Sequence, residues 1–260
     1  CYGFPPARER QGCLSVLFHA LLVFWSVNMK TSNIQVPLRD GVMGAYLAVP
    51  DGPPKGGIVA IMEIWGVNDT MRHHAHEFAE AGFICLVPDL FWRQEPGVEL
   101  SDKNPDHVQK AFDLYYEFDY DLGVRDMEDV WHYLEKLPEC NGKVGAVGYC
   151  LGGKLCYLMC CRTDIDCAVA YYGTYIEHRI KEVKNLHRPF VLHMAMKDRW
   201  VQAEVNDMLV RRLSSNPLVT IHQYPGADHA FARYGGRTYS KPEADRALAL
   251  TVDFFHKHLG

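Results

Sequence analysis

The chain has 260 residues, a formal net charge of −5 at pH 7 and a hydrophobic share of 48%. These values are typical of a globular protein with a sizeable core and exclude a disordered chain. The negative charge disfavours nucleic acid and anionic membranes as partners, and we expect neither. Nine cysteines without the spacing of a disulfide framework favour a reducing, cytoplasmic location.

Residues 1–28 differ in character from the rest of the chain. Arg8 and Arg10 precede an apolar stretch over residues 13–27, as in a signal peptide, but no small-residue cleavage site follows. Met29 then opens a sequence that is typical of a domain start. We predict a non-domain extension over residues 1–28, which is either upstream translated sequence or a signal-like segment, and one domain over 29–260. A membrane anchor is the alternative for the extension.

Strands and helices alternate along this domain. Apolar runs predict eight strands, at residues 34–38, 42–50, 57–63, 83–90, 143–149, 166–173, 189–198 and 218–226. Helical periodicity predicts helices at residues 69–82, 105–137, 152–161, 202–213 and 241–258. This order predicts an α/β fold, in which a mostly parallel sheet is covered by helices on both faces. Active sites of such sheets lie at the carboxyl ends of the strands.

The sequence GYCLGG places Cys150 between Gly148 and Gly152, where a strand gives way to a helix. A sharp turn at this point needs small neighbours and lifts the thiol above the sheet. The helix N-terminus favours the thiolate, which is the reactive form of cysteine. The pattern therefore predicts a nucleophile. A packed cysteine beside a glycine-rich turn is the alternative.

Two more residues are placed to assist Cys150. Asp198 follows one apolar strand and His229 follows the next, so both are expected at the same edge of the sheet as Cys150. Nucleophile, acid and histidine follow one another in this order in α/β-hydrolases. The histidine can take a proton, and the aspartate can hold its tautomer. We predict a Cys150–His229–Asp198 triad.

Other cysteines and histidines fit structural roles better. We expect a buried helix face, with a metal or redox role as the alternative, for three cysteines: Cys156, Cys160 and Cys161. We expect an amphipathic helix without a metal for three histidines: His73, His74 and His76. No metal or organic cofactor is expected in this protein.

With these residues in place, the chain resembles the dienelactone hydrolase family, also called carboxymethylenebutenolidases. The resemblance covers about residues 34–259 and is carried by the sequences MEIWGVN, VPDLFWRQEPG, NGKVGAVGYCLGG, AYYG and DHAFAR. It implies an α/β-hydrolase fold with a catalytic triad formed by Cys150, His229 and Asp198.

The resemblance also implies roles around the triad. Glu63 would hold the resting thiol by a hydrogen bond, Arg233 would bind a substrate carboxylate, and Tyr172 would be a pocket tyrosine. A buried strand-end carboxylate such as Glu63 needs a partner or a proton, so a structural ion pair is its alternative. Where dienelactone-hydrolysing members carry a second carboxylate-binding arginine, this chain has Val108. This departure concerns the substrate and leaves the predicted chemistry unchanged.

The predicted reaction is hydrolysis of a small ester or enol lactone through an acyl-thiol intermediate. The backbone amides of Ile64 and Leu151 would bind the oxyanion, and Trp65 and Tyr115 would line an aromatic pocket. We expect a monomer whose partner is this small-molecule substrate. The alternatives are a broad carboxylesterase or thioesterase, and a non-catalytic redox-sensing thiol protein.

Overall fold

The fold is described from a computed structural model, which defines residues 28–53 and 55–260. An eight-stranded sheet has the order β1-β2-β4-β3-β5-β6-β7-β8. The strands are β1 (Met29–Leu38), β2 (Gly41–Pro50), β3 (Lys55–Ile61), β4 (Ile84–Pro88), β5 (Cys140–Tyr149), β6 (Cys167–Tyr171), β7 (Phe190–Ala195) and β8 (Val219–Tyr224). The β1–β2 and β2–β4 pairs are antiparallel and the other pairs are parallel. The predicted α/β-hydrolase architecture is confirmed.

Helices flank this sheet. They are α1 (Asp69–Glu80), α2 (Pro105–Tyr116), α3 (Tyr120–Glu135), α4 (Leu151–Arg162), α5 (Ala203–Leu213) and α6 (Lys241–Leu259). The helical region predicted at 105–137 divides into α2 and α3, because the Asp119 carboxylate accepts hydrogen bonds from the Asp121 and Leu122 amides and starts a new helix. A 3-10 helical segment, Ile176–Asn185, was not predicted.

The parallel strands bring separate parts of the sequence to one edge of the sheet. Glu63 follows β3, Cys150 follows β5, Asp198 follows β7 and His229 follows β8. Strands β3 to β8 run in the same direction side by side, so these residues leave the sheet from the carboxyl ends of their strands. The fold thus gathers four predicted site residues above one edge.

The predictions for other cysteines and for the N-terminal extension have different outcomes. Cys156, Cys160 and Cys161 are buried on α4, as predicted. The extension was predicted over residues 1–28, and residues 1–27 lie outside the described part of the chain. Within the described residues, no helix is long and apolar enough to cross a membrane.

Candidate active site

Cys150 occupies a sharp turn between β5 and α4. Its backbone has φ 53° and ψ −110°, a conformation that side-chain-bearing residues rarely adopt. A Cβ atom on Gly148 would clash with the Gly152 carbonyl, and one on Gly152 would clash with the Ile61 carbonyl. Both glycines are therefore required by close backbone approach. The turn leaves the thiol at the N-terminus of α4, where the helix dipole favours the thiolate.

His229 and Asp198 form a buried pair beside Cys150. The imidazole Nδ1 lies 2.7 Å from the Asp198 Oδ2, and the two side chains are 7% and 2% exposed. Burial by itself lowers the pKa of His229. The Cys150 thiolate and the Asp198 carboxylate outweigh this effect and raise the pKa of His229 to about 10. The structure thus brings the three predicted triad residues together in an arrangement that favours a positively charged imidazole beside Cys150.

The backbone amides of Ile64 and Leu151 border the same site. Ile64 lines the cavity that contains Cys150, and Leu151 is the first residue of α4. Among the described residues, neither amide donates a hydrogen bond to a backbone acceptor. Two free donors near the nucleophile are what an oxyanion requires.

Glu63 contacts Arg233 rather than the thiol. Arg233 Nε donates to the Glu63 Oε2 at 2.5 Å, and Arg233 Nη1 donates to the Asp102 Oδ2 at 3.0 Å. The Glu63 Oε1 is buried and has no hydrogen-bond partner among the described residues. The expected hydrogen bond from the resting thiol to Glu63 is therefore not the one in this structure. A buried carboxylate is better stabilised by a cation than by a thiol, and the structural ion pair considered as the alternative is present.

A cavity of about 200 Å³ opens above Cys150 and His229. Trp65 and Tyr115 line it, as expected for an aromatic pocket, and so does Val108 on α2. Tyr172 is not in this wall. Its ring makes a T-shaped contact with the His229 ring, with 5.1 Å between ring centroids, so it packs against the imidazole instead of forming the pocket.

Several residues of the cavity were not identified from the sequence. They are Asp102, Phe112, Thr174, Tyr175, Arg199, Trp200, Ala230, Arg237 and Thr238. Arg199 and Trp200 follow Asp198 directly, and Thr174 and Tyr175 continue the loop after β6, so their position at strand ends was an available signal. The contribution of α2 was harder to see, because the face of a helix that meets a cavity depends on how the helix docks.

The histidines of α1 have protein partners. The Nδ1 of His74 lies 2.8 Å from the Glu77 carboxylate, and the Nε2 of His76 lies 2.7 Å from the Tyr46 hydroxyl. Within the described ranges, no group of three or more His, Cys, Asp or Glu side chains is arranged to hold a metal ion.

Comparison with known proteins places these features in a family. The model of the dienelactone hydrolase family matches residues 43–259. A carboxymethylenebutenolidase of Pseudomonas putida is 36% identical over 227 residues, which cover 87% of this chain and 96% of that protein. Carboxymethylenebutenolidase 1 of Cupriavidus pinatubonensis is 34% identical over 226 residues, covering 86% of this chain and 96% of that protein.

A solved structure supports the fold. A dienelactone hydrolase-like promiscuous phosphotriesterase from metagenomic libraries superposes with a TM-score of 0.74 at 17% identity, over 89% of this chain and 99% of that one. Both the family model and the two relatives extend over most of the sequence. The chain therefore belongs to the dienelactone hydrolase family.

Proposed function

We propose that the protein is a cysteine-dependent hydrolase that opens a small ester or enol lactone, of the dienelactone type, through an acyl-thiol intermediate. One arrangement carries this proposal. Cys150 lies on a strained turn at a helix N-terminus, faces a cavity, and adjoins the His229–Asp198 pair. A thiolate next to an imidazolium is a strong nucleophile at neutral pH.

The first half of the reaction forms the acyl-thiol. The Cys150 Sγ attacks the substrate carbonyl carbon, and the carbonyl oxygen becomes an oxyanion that accepts hydrogen bonds from the Ile64 and Leu151 amides. Each such donor is worth about 3–4 kcal/mol in the transition state. The intermediate collapses with cleavage of the ester C–O bond, and the leaving oxygen departs as an alkoxide or an enolate. His229 protonates an alkoxide leaving group. An enolate leaving group instead stays tethered to the acyl group and can take its proton there.

The second half hydrolyses the acyl-thiol. Water adds to the thioester carbonyl, and its proton passes to neutral His229 or to the tethered enolate. The thiolate then leaves, and the carboxylate product is released. We assign the proton of the resting thiol to His229, because Glu63 hydrogen-bonds to Arg233. Asp198 holds the imidazole so that Nδ1 faces the carboxylate and Nε2 remains for the reaction.

Turnover of p-nitrophenyl acetate with mass spectrometry of the quenched enzyme tests this proposal. We expect an acetyl group on Cys150 and a loss of turnover of at least about 10³-fold in Cys150→Ala and in His229→Ala, since triad residues act as a unit. Cys140→Ala is the matched control, because Cys140 is a free and partly exposed cysteine outside the cavity. Acetylation elsewhere, or wild-type turnover by Cys150→Ala, would overturn the mechanism.

A broad carboxylesterase or thioesterase is the second candidate within the same chemistry. The observation that favours it is the presence of Val108 in the cavity wall, at the position where a second carboxylate-binding arginine was expected from the family. Oxidation of the thiol without any ester turnover would instead indicate a redox-sensing protein.

A further inference from the structure

The Cys150 sulfur has a hydroxyl neighbour that the proposed mechanism does not use. The Thr174 Oγ1 lies 4.0 Å from the Cys150 Sγ, at the outer limit of a hydrogen bond to sulfur, and Thr174 is buried. Thr174 lies in the loop after β6, between two tyrosines with positive φ, Tyr172 at 39° and Tyr175 at 55°. Such backbone strain persists only where the surroundings enforce it, and it clusters at functional sites.

Close backbone packing holds Thr174 beside the sulfur. A Cβ atom on Gly173 would come within 3.1 Å of the Gly153 carbonyl carbon, and one on Gly153 within 2.9 Å of the Gly173 Cα. These two glycines let the loop after β6 contact the first turn of α4. The Cys150 amide also donates to the Tyr171 carbonyl at 3.0 Å, which ties the nucleophile's turn to the end of β6. The backbone therefore fixes where Thr174 lies relative to the sulfur.

Two phenols extend this contact away from the sulfur. The Tyr115 hydroxyl lies 3.5 Å from the Thr174 Oγ1. The Tyr120 hydroxyl adjoins that of Tyr115, and it is buried with no hydrogen bond of normal length among the described residues. Burial, with a smaller contribution from the Cys150 thiolate, raises the pKa of Tyr115 to about 12, and burial also raises the pKa of Tyr120. Both phenols therefore keep their protons at neutral pH and can donate.

A buried cation lies at the far end of these hydroxyls. The Lys154 Nζ is 3.9 Å from the centroid of the Tyr120 ring, and Lys154 is only 5% exposed. In the part of the chain that the structure describes, no carboxylate lies within 4.0 Å of this ammonium, and the Asp121 carboxylate pairs with Arg162 and Arg179 instead. Burial lowers the pKa of Lys154 to about 8, so the ammonium is still mostly charged at pH 7. A buried charge without a carboxylate partner is costly unless other groups compensate for it.

The two ends set the direction of the hydrogen bonds. A thiolate can only accept, and the Tyr120 hydroxyl has the Tyr115 oxygen as its acceptor. We infer that three hydroxyls form a chain in which each donates toward the Cys150 thiolate, in the order Tyr120, Tyr115 and Thr174. Thr174 is the last donor and holds the thiolate, while Lys154 orients the chain from its far end. Hydrogen bonds aligned between a cation and an anion strengthen one another where the dielectric constant is low.

These four residues are positioning residues, and their role rests on the proposed one of Cys150 as the nucleophile. Other ionisable groups also face the sulfur or its cavity, and the substitutions below leave all of them in place except Tyr175, which is the control. They are His229 with Asp198 behind it, Tyr172, Tyr175, Glu63, Asp102, Arg199, Arg233 and Arg237.

Alkylation of the full chain by iodoacetamide, followed at Cys150 by peptide mass spectrometry across the pH range, tests the last donor. Thr174→Val keeps the side-chain shape and removes the hydroxyl, so the midpoint of the profile should rise by about one pH unit, which corresponds to a tenfold weaker stabilisation of the thiolate. Thr174→Ser should return the midpoint to within about 0.3 unit of the wild type. Tyr175→Phe, which removes a hydroxyl of the cavity wall outside the chain, should also stay within about 0.3 unit.

Double variants test the rest of the chain. Tyr115→Phe and Lys154→Met should each raise the midpoint by about 0.5 unit, because they act through the intervening hydrogen bonds. In the Thr174→Val background neither should raise it further, since the chain is already interrupted. Equal shifts in both backgrounds would show an effect through space and would overturn the chain. An unchanged midpoint in Thr174→Val, or the same shift in Thr174→Ser, would also overturn it. Thr174→Ala replaces Thr174→Val if the valine variant does not fold.

Alkylation needs no ester turnover, which separates this inference from the proposed function. If the wild type does not hydrolyse p-nitrophenyl acetate, the proposed function fails while the alkylation profiles still decide the chain. If hydrolysis proceeds through acetyl-Cys150 and no substitution moves the midpoint, the inference alone fails.

Discussion

Replacing Arg233 with Met tests the buried ion-pair cluster most directly. Methionine retains much of the length of the side chain and removes the charge. The Arg233, Glu63 and Asp102 side chains are 12%, 5% and 14% exposed, so the cluster is largely shielded from water. Removing one partner of such a pair leaves an uncompensated buried charge, which costs about 3–5 kcal/mol of the free energy of unfolding.

A second substitution isolates the cause. Glu63→Gln in the Arg233→Met background removes the carboxylate that has lost its partner. The double variant should therefore be more stable than Arg233→Met alone, by about 1–3 kcal/mol, since the two residues are in contact and their effects are not additive. Asp102 retains a 3.4 Å hydrogen bond from the Arg237 amide, so it contributes less to the loss.

Urea unfolding at pH 7, followed by tryptophan fluorescence, measures both effects. Arg199→Met is the matched control, because Arg199 is 59% exposed and pairs with Asp228 at the surface. We expect this control to change the free energy of unfolding by less than about 1 kcal/mol. An Arg233→Met variant as stable as the Arg199→Met control, or a double variant no more stable than Arg233→Met, would refute the reasoning.

Three further predictions follow from the turn, the triad and the start of the sheet. Cys150→Ala should lower the pKa of His229 from about 10, because the thiolate is the largest contribution that raises it, and NMR titration of the imidazole measures this. In the wild type, the raised pKa of His229 contributes to the free energy of unfolding. The contribution is complete below the unfolded-state pKa of about 6.5 and is lost as the pH rises through about 10. An unchanged pKa of His229 in Cys150→Ala would argue against the thiolate–imidazolium pair. Gly148→Ala should lower the free energy of unfolding, measured by thermal unfolding, by at least about 2 kcal/mol, because the added Cβ would clash with backbone atoms. The control Gly44→Ala should be nearly neutral, since its Cβ would meet only one side-chain atom, at 4.0 Å. Equal effects would argue against the close backbone approach at Gly148. A variant that begins at Met29, the first residue of β1, should remain soluble with full ester turnover, and aggregation of that variant would contradict the predicted domain boundary.

Local sequence was enough to predict most of the architecture. Continuous apolar runs, glycine-rich turns and helical periodicity identified the eight strands of the sheet and the regions of the α-helices within the described residues, because these patterns reflect burial and backbone conformation within a few neighbouring residues. Chain order then indicated that Glu63, Cys150, Asp198 and His229 leave parallel strands at one edge. Parallel strands place their carboxyl ends together whatever the loops contain, so these four positions followed without three-dimensional information.

The partners of these side chains were decided by tertiary structure. Arg233 lies 170 positions from Glu63 and 131 from Asp102, and no periodicity relates residues so far apart. The sequence allowed Glu63 either a thiol or an ion pair, and packing of the loop after β8 against the end of β3 supplied the cation. The docking of α2 likewise turned Val108 toward the cavity. Local patterns report which residues are buried, but the charge that a buried carboxylate meets depends on which distant segments fold against it.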